Sequence, residues 1–132
     1  MSANIDKAFI DAYIDADIGL SIAHENTSYN PTAGTEYVEL INLPNDITSA
    51  DLSYTNETDG LFRIILYWPV NKGSVLPKEK ADTILGVFPI DTEVCYGGQC
   101  AAVTKIAREK GVPESGWYKT LISVSYRAFI PR

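Results

Sequence analysis

Residues 61–68 read "LFRIILYW", and this stretch limits the fold more than any other. Strand side chains alternate between two faces. Phe62, Ile64, Leu66 and Trp68 therefore share one side, while Leu61, Arg63, Ile65 and Tyr67 share the other. Both sides are dominated by apolar groups, so the segment reads as a core strand. Pro69 ends it, because proline offers no N–H to a ladder.

The rest of the chain supplies partners for that strand. "YVELINL" is a second strand, stopped by Pro44. "WYKTLISVSYRAFI" is a third, with Ile122, Val124, Tyr126, Ala128 and Ile130 on one face and Lys119, Ser123, Ser125 and Arg127 on the other. "DTEVCY" and "QCAAVTKI" flank Gly97-Gly98, a two-residue hairpin signal because primed turns need positive φ. Helical spacing appears twice. Ile5, Phe9, Ala12, Tyr13, Ala16 and Leu20 predict a helix over 3–16. Pro77 suits a first turn before the stripe of Ala81, Ile84, Leu85 and Phe88. The polar stretches "ENTSYNPTAGTE", "PNDITSADLSYTNETDG" and "REKGVPESG" read as loops. This order predicts an α+β fold: a mostly antiparallel sheet with two helices packed on one face, one domain over 1–132.

Composition narrows the function. The net charge is −6, from 17 acids against 11 bases, which argues against binding a nucleic-acid backbone. Lys105, Arg108 and Lys110 form the one basic cluster and read as a solvated loop. No apolar run approaches the roughly 20 residues of a membrane span. The acidic start lacks a secretory pattern, so a cytoplasmic protein is expected.

Reactive constellations are sparse. His24 is the one histidine, and a hydrolase built on it with an acid remains the remote reading. Carboxylate pairs such as Asp15 with Asp17 and Asp91 with Glu93 lie in polar stretches, where solvated charge explains them. "NDITSADLSYTNETDG" has an oxygen-rich composition without calcium-loop spacing. The Asn26 and Asn56 sequons are chance matches where no signal peptide precedes them. Trp68, Tyr67 and Trp117 as a stacking surface for a ligand compete with the simpler reading of core aromatics. Cys95 and Cys100 are the only cysteines, and a zinc site needs four ligands, so neither a metal nor a cofactor is expected. A two-residue turn at Gly97-Gly98 sets the two cysteines opposite each other in a non-hydrogen-bonded pair, where a disulfide is geometrically open. In a reducing cytoplasm a free pair is the expectation.

Taken together, "YNPTAGTEYVELINLPND", "GLFRIILYWPVNKG", "KADTILGVFP", "VCYGGQCAAV" and "WYKTLISVSYRAF" resemble the phage tail terminator-like family of lambda-type siphophage tails. Pro31, Gly34, Tyr37 and Leu43-Pro44 match one family segment, and Gly60, Phe62, Trp68, Pro69 and Gly73 match the next. The flanking cysteines depart from the common hairpin pattern. The resemblance implies a non-enzymatic virion protein of the tail that forms a homo-oligomeric ring, a hexamer in this family. It implies a ring that caps the tail tube protein, ends tube polymerisation and offers a surface to the head connector protein. A head–tail connector or tail-completion protein of the neck is the alternative. In such a ring, the loop 45–60 with Asp46, Asp51, Glu57 and Asp59 would face the lumen or a ring interface, passing DNA without specific binding. Arg63 and Arg127 would make subunit contacts with acids of a neighbour.

Overall fold

The computed structural model describes residues 2–16, 18–24, 35–44, 48–49, 55–69, 73, 75–109, 111–114 and 116–131. Among them are two helices, α1 (Ser2–Asp15) and α2 (Val75–Leu85). The strands are β1 (Ser21–His24), β2 (Tyr37–Pro44), β3 (Thr48–Ser49), β4 (Thr55–Pro69), β5 (Glu93–Tyr96), β6 (Gln99–Arg108), β7 (Val112–Glu114) and β8 (Trp117–Pro131). All belong to one sheet in the order β1-β2-β4-β8-β6-β5, with β3 beside β4 and β7 beside β8. The β1–β2 pair is parallel and the others are antiparallel. β4, the strand that contains "LFRIILYW", lies between β2 and β8 and pairs with β8 from Thr55↔Pro131 to Pro69↔Trp117.

The α+β expectation is overturned. The molecule is mostly β, a curled sheet like half a barrel, and the two helices are minor elements beside it. The difference comes from polar stretches that pair through their backbones. Thr55–Gly60, expected within the loop 45–60, extends β4 and bonds to both β3 and β8. Val112–Glu114, expected within another loop, forms β7. Lys105 and Arg108 lie on β6, and Arg108 reaches Asp82 of α2 at 3.7 Å; Lys110 lies outside the described residues. Polar side chains disguise strands whose stability comes from ladder hydrogen bonds and from flanking partners.

One face of the sheet closes over the core. Phe62, Ile64 and Leu66 of β4 are fully buried, as are Ile122 and Val124 of β8 and Val38 of β2. α1 contributes Ile5, Ala8, Phe9 and Tyr13 at helical spacing, and α2 contributes Ala81 and Ile84, followed by Phe88. The Phe9 ring stacks on Phe62 at 4.9 Å and lies 5.1 Å from Tyr126. Tyr126 donates its hydroxyl to Asn42 Oδ1 at 2.8 Å, fixing β8 to β2 across β4. The Tyr13 hydroxyl is buried without a hydrogen-bond partner among the described residues, and burial pushes its pKa up to about 12.

Candidate functional site

The second face of the sheet carries the alternate residues. Its register runs Asp59↔Arg127, Leu61↔Ser125, Arg63↔Ser123, Ile65↔Leu121, Tyr67↔Lys119 and Pro69↔Trp117 between β4 and β8. On the β2 side, Tyr37 lies opposite Tyr67, Glu39 opposite Ile65, Ile41 opposite Arg63 and Leu43 opposite Leu61.

One end of this face is an aromatic cluster. Tyr37 stacks on Tyr67 at 4.4 Å, and Trp117 meets Tyr37 edge-on at 5.2 Å. The Tyr67 hydroxyl donates to Glu39 Oε1 at 3.2 Å. Burial first, and the Glu39 charge second, hold the Tyr67 phenol above its ordinary pKa, so it stays a donor at neutral pH. Lys119 Nζ lies 5.4 Å from the Tyr67 ring centre and 3.5 Å from Glu114 of β7. Trp68, by contrast, is in the core cluster. Neighbours in sequence are thus on opposite faces. The pairing of Tyr67 with Tyr37 depended on β2–β4 register, which the sequence did not announce.

The other end is ionic. Asp59 of β4 lies directly opposite Arg127 of β8, both exposed, and neither is without a partner. Beyond Arg127, an open depression of ≈ 400 Å³ is lined by Glu93, Gly98, Cys100, Ala102, Thr104 and Arg127. Glu93, Cys95 and Cys100 bring their ligand-type atoms within 4.8 Å of one another. Cys95 and Cys100 are joined as a disulfide with Cα atoms 4.1 Å apart, which corrects the free pair expected from a reducing compartment. The register is the physical reason: Cys95 pairs with Cys100 and Tyr96 with Gln99, set by Gly97 at φ 59° and Gly98 at φ 83°. Disulfide sulfur is not a thiolate donor, so the cluster does not make a metal site in this state.

Between the two ends sits Arg63. It is half-buried, its Nε is buried without a hydrogen bond, and none of the ion pairs among the described residues involves it. Its neighbours in the register are Ile41 and Ser123, with Leu61 and Ile65 along its own strand. Of the acids expected to line a loop, only Asp59 is described in full, and it stands on a strand. Glu57 pairs through its backbone with Thr48 and Phe129, while its side chain lies outside the described residues. Asp46 and Asp51 lie outside them entirely. The His24 backbone is in β1, paired with Leu40, and its side chain is likewise outside the described set.

These features define a class: a small, mostly-β protein built on one broad, curled sheet. The sequence profile of the phage tail terminator protein family matches residues 4–126, and the chain belongs to that family. It is accordingly a structural component of a phage tail that associates with other tail components. One solved structure is similar with a TM-score of 0.73 and 23% sequence identity, covering 99% of this chain and 95% of the other. At that identity the likeness speaks to the fold. No curated protein matches the chain. No helix among the described residues is long and apolar enough to cross a membrane.

Proposed function

We propose that this protein caps the finished tail tube as a homo-oligomeric ring, a hexamer, ending tube polymerisation and presenting the surface to which the head connector joins. The observation that carries this reading is the family match over residues 4–126. The fold supports it. β1 and β5 are the two outer strands of the sheet order, so each copy has two unlike edges to offer. Unlike edges suit a heterologous head-to-tail contact, which closes into a ring when the rotation per copy divides a full turn. The acids Asp46, Asp51, Glu57 and Asp59 would line the lumen or a ring face, where like charge lets DNA pass without being held. Arg63 and Arg127 are the proposed subunit contacts. The protein acts by assembly in the host cytoplasm and remains in the virion tail.

The test is direct. Tail tube protein is polymerised alone and with this protein added, and tubes are imaged by electron microscopy. Capped tubes that stop elongating, with a ring at one end, support the reading. Tubes that grow on unchanged, with no ring bound and none in a concentrated stock, overturn it.

A further inference from the structure

The β5–β6 hairpin gathers a set of metal-type donors that the ring reading leaves unused. Glu93 and Cys95 are alternate residues of β5, so their side chains leave the same face, and both are exposed. Cys100 of β6 lies opposite Cys95, and Ala102 lies opposite Glu93. The carboxylate and the two sulfurs therefore converge, with their donor atoms all within 4.8 Å of one another. Around a tetrahedral zinc, with Zn–S about 2.3 Å and Zn–O about 2.1 Å, donor atoms lie about 3.5–3.8 Å apart. Small side-chain shifts thus bring the three around one ion once the sulfurs part. Ala102 is small, and the register places Arg127 of β8 on its far side. Two thiolates, one carboxylate and a divalent cation together leave one negative charge. Arg127 lines the same depression as Glu93 and Cys100, where its positive charge offsets that excess.

We propose that the hairpin, once its disulfide is reduced, binds one soft divalent cation of the zinc class through the thiolates of Cys95 and Cys100 and the carboxylate of Glu93. Water takes the fourth position, as in zinc sites with three protein donors. Reduction comes first. A dithiol reductant attacks one sulfur through its thiolate, the S–S bond breaks, and closure of the reductant's own disulfide leaves two protein thiols. Cys95 is exposed, so the reductant reaches it. The cation then displaces the proton of each thiol, so binding releases two protons to solvent. One staple of the hairpin is exchanged for another, while Gly97 and Gly98 keep the turn at positive φ. Thiolate donors select zinc or cadmium over magnesium or calcium, which prefer oxygen alone.

The intact protein is reduced with a dithiol, freed of it under inert gas, and titrated with zinc by calorimetry and with cobalt by absorption spectroscopy. The same titrations are run on the oxidised protein, on reduced Glu93→Gln, and on Cys95→Ser with Cys100→Ser. The reduced wild type is expected to bind one ion per chain, show a thiolate-to-cobalt charge-transfer band, release two protons, and melt at a higher temperature with zinc. The oxidised protein and the double variant should show none of these. Reduced Glu93→Gln should keep the cobalt band and bind about tenfold or more weakly. Circular dichroism follows the fold throughout. A folded, reduced chain that binds no zinc overturns the proposal, and so does a reduced chain that unfolds and that zinc does not refold. Equal binding by the oxidised protein or the double variant would overturn it by assigning the ion to surface carboxylates. Unchanged affinity in Glu93→Gln, or one ion shared by two copies, would overturn the ligand set. Ring formation enters none of these readouts, so the ring reading stands or falls separately.

Discussion

The two faces of one sheet behave as different materials. On the inner face every large side chain of β4 meets a helix or a neighbouring strand, and Phe62, Ile64 and Leu66 are fully buried. On the outer face the alternate residues of the same strand are mostly half-buried, a tyrosine hydroxyl bonds a carboxylate, and an arginine has a buried nitrogen without a partner. Sequence hydrophobicity barely separates the two, since Leu61 and Ile65 are as apolar as Ile64 and Leu66. What separates them is the packing they meet: among the described residues both helices lie against the inner face, while most outer-face residues of β4 stay half-buried.

The sharpest way to break this comparison is truncation on each face. Phe62→Ala removes a ring stacked on Phe9 and edge-on to Phe88, and is expected to cost about 3–5 kcal/mol. Leu61→Ala, one residue away on the other face, is expected to cost about 1 kcal/mol or less in the isolated protein. Urea denaturation followed by tryptophan fluorescence measures both, and equal losses would erase the distinction. Alkaline titration probes the faces next. Tyr13 and Tyr126 on the inner side and Tyr67 on the outer all have folded pKa values raised above the ordinary phenol value, with burial the first cause in each. A raised folded pKa means the unfolded chain loses its proton first, so stability is complete below the unfolded pKa, about 10. It then falls as pH rises toward the folded values. Melting temperature should thus hold steady to about pH 10 and drop between about pH 10 and 12, the Tyr13 contribution being on the order of 2 kcal/mol. Tyr13→Phe should flatten that drop without loss at neutral pH, because the hydroxyl it removes has no partner among the described residues.

Which residues share each face was legible in the sequence, but the contacts made across the outer face were not. Alternation along 61–68, helical spacing over 5–13 and the glycine pair at 97–98 each encode local structure in local residues, and the structure has those elements. The helix expected over 3–16 is α1, Ser2–Asp15. What failed was the balance of classes. Thr55–Gly60 and Val112–Glu114 are paired through the backbone of β8; they carry turn-type residues, and Thr58 is their one buried side chain among the described residues, so composition read them as loops. The site depended on register between distant strands, and no local signal places Tyr37 over Tyr67 or leaves Arg63 between Ile41 and Ser123. The family resemblance implies a subunit contact for Arg63; that its Nε is buried without a hydrogen bond among the described residues required the fold.

The smaller predictions sharpen the outer face. The disulfide closes a loop whose ends are 5 residues apart, and chain entropy gives such a short closure about 2 kcal/mol. Reduction by a dithiol, or Cys95→Ser with Cys100→Ser, should lower stability by about that amount. The hairpin register should survive, because both turn glycines hold positive φ independently of the bond. A thiol titration of the unfolded, unreduced chain should find no free thiol; two free thiols would restore the pair expected from a reducing compartment.

The smallest effect isolates Arg127 from Arg63, which look alike in sequence as cations amid strands. Arg127 is exposed and faces Asp59 across β4–β8. A double-mutant cycle with Asp59→Asn and Arg127→Gln should give a coupling of about 0.5 kcal/mol, since solvent screens the charges and holding two side chains costs entropy. That coupling should shrink further in 1 M salt, where the Debye length falls to about 3 Å. Arg63→Met has the opposite sign, neutral or stabilising in the monomer. The two arginines share a charge and a sheet face but differ in burial, Arg63 half-buried at mid-face and Arg127 exposed at one end. Opposite signs would mark one cation that is solvated and opposite an acid, and one whose Nε is covered without a hydrogen bond among the described residues.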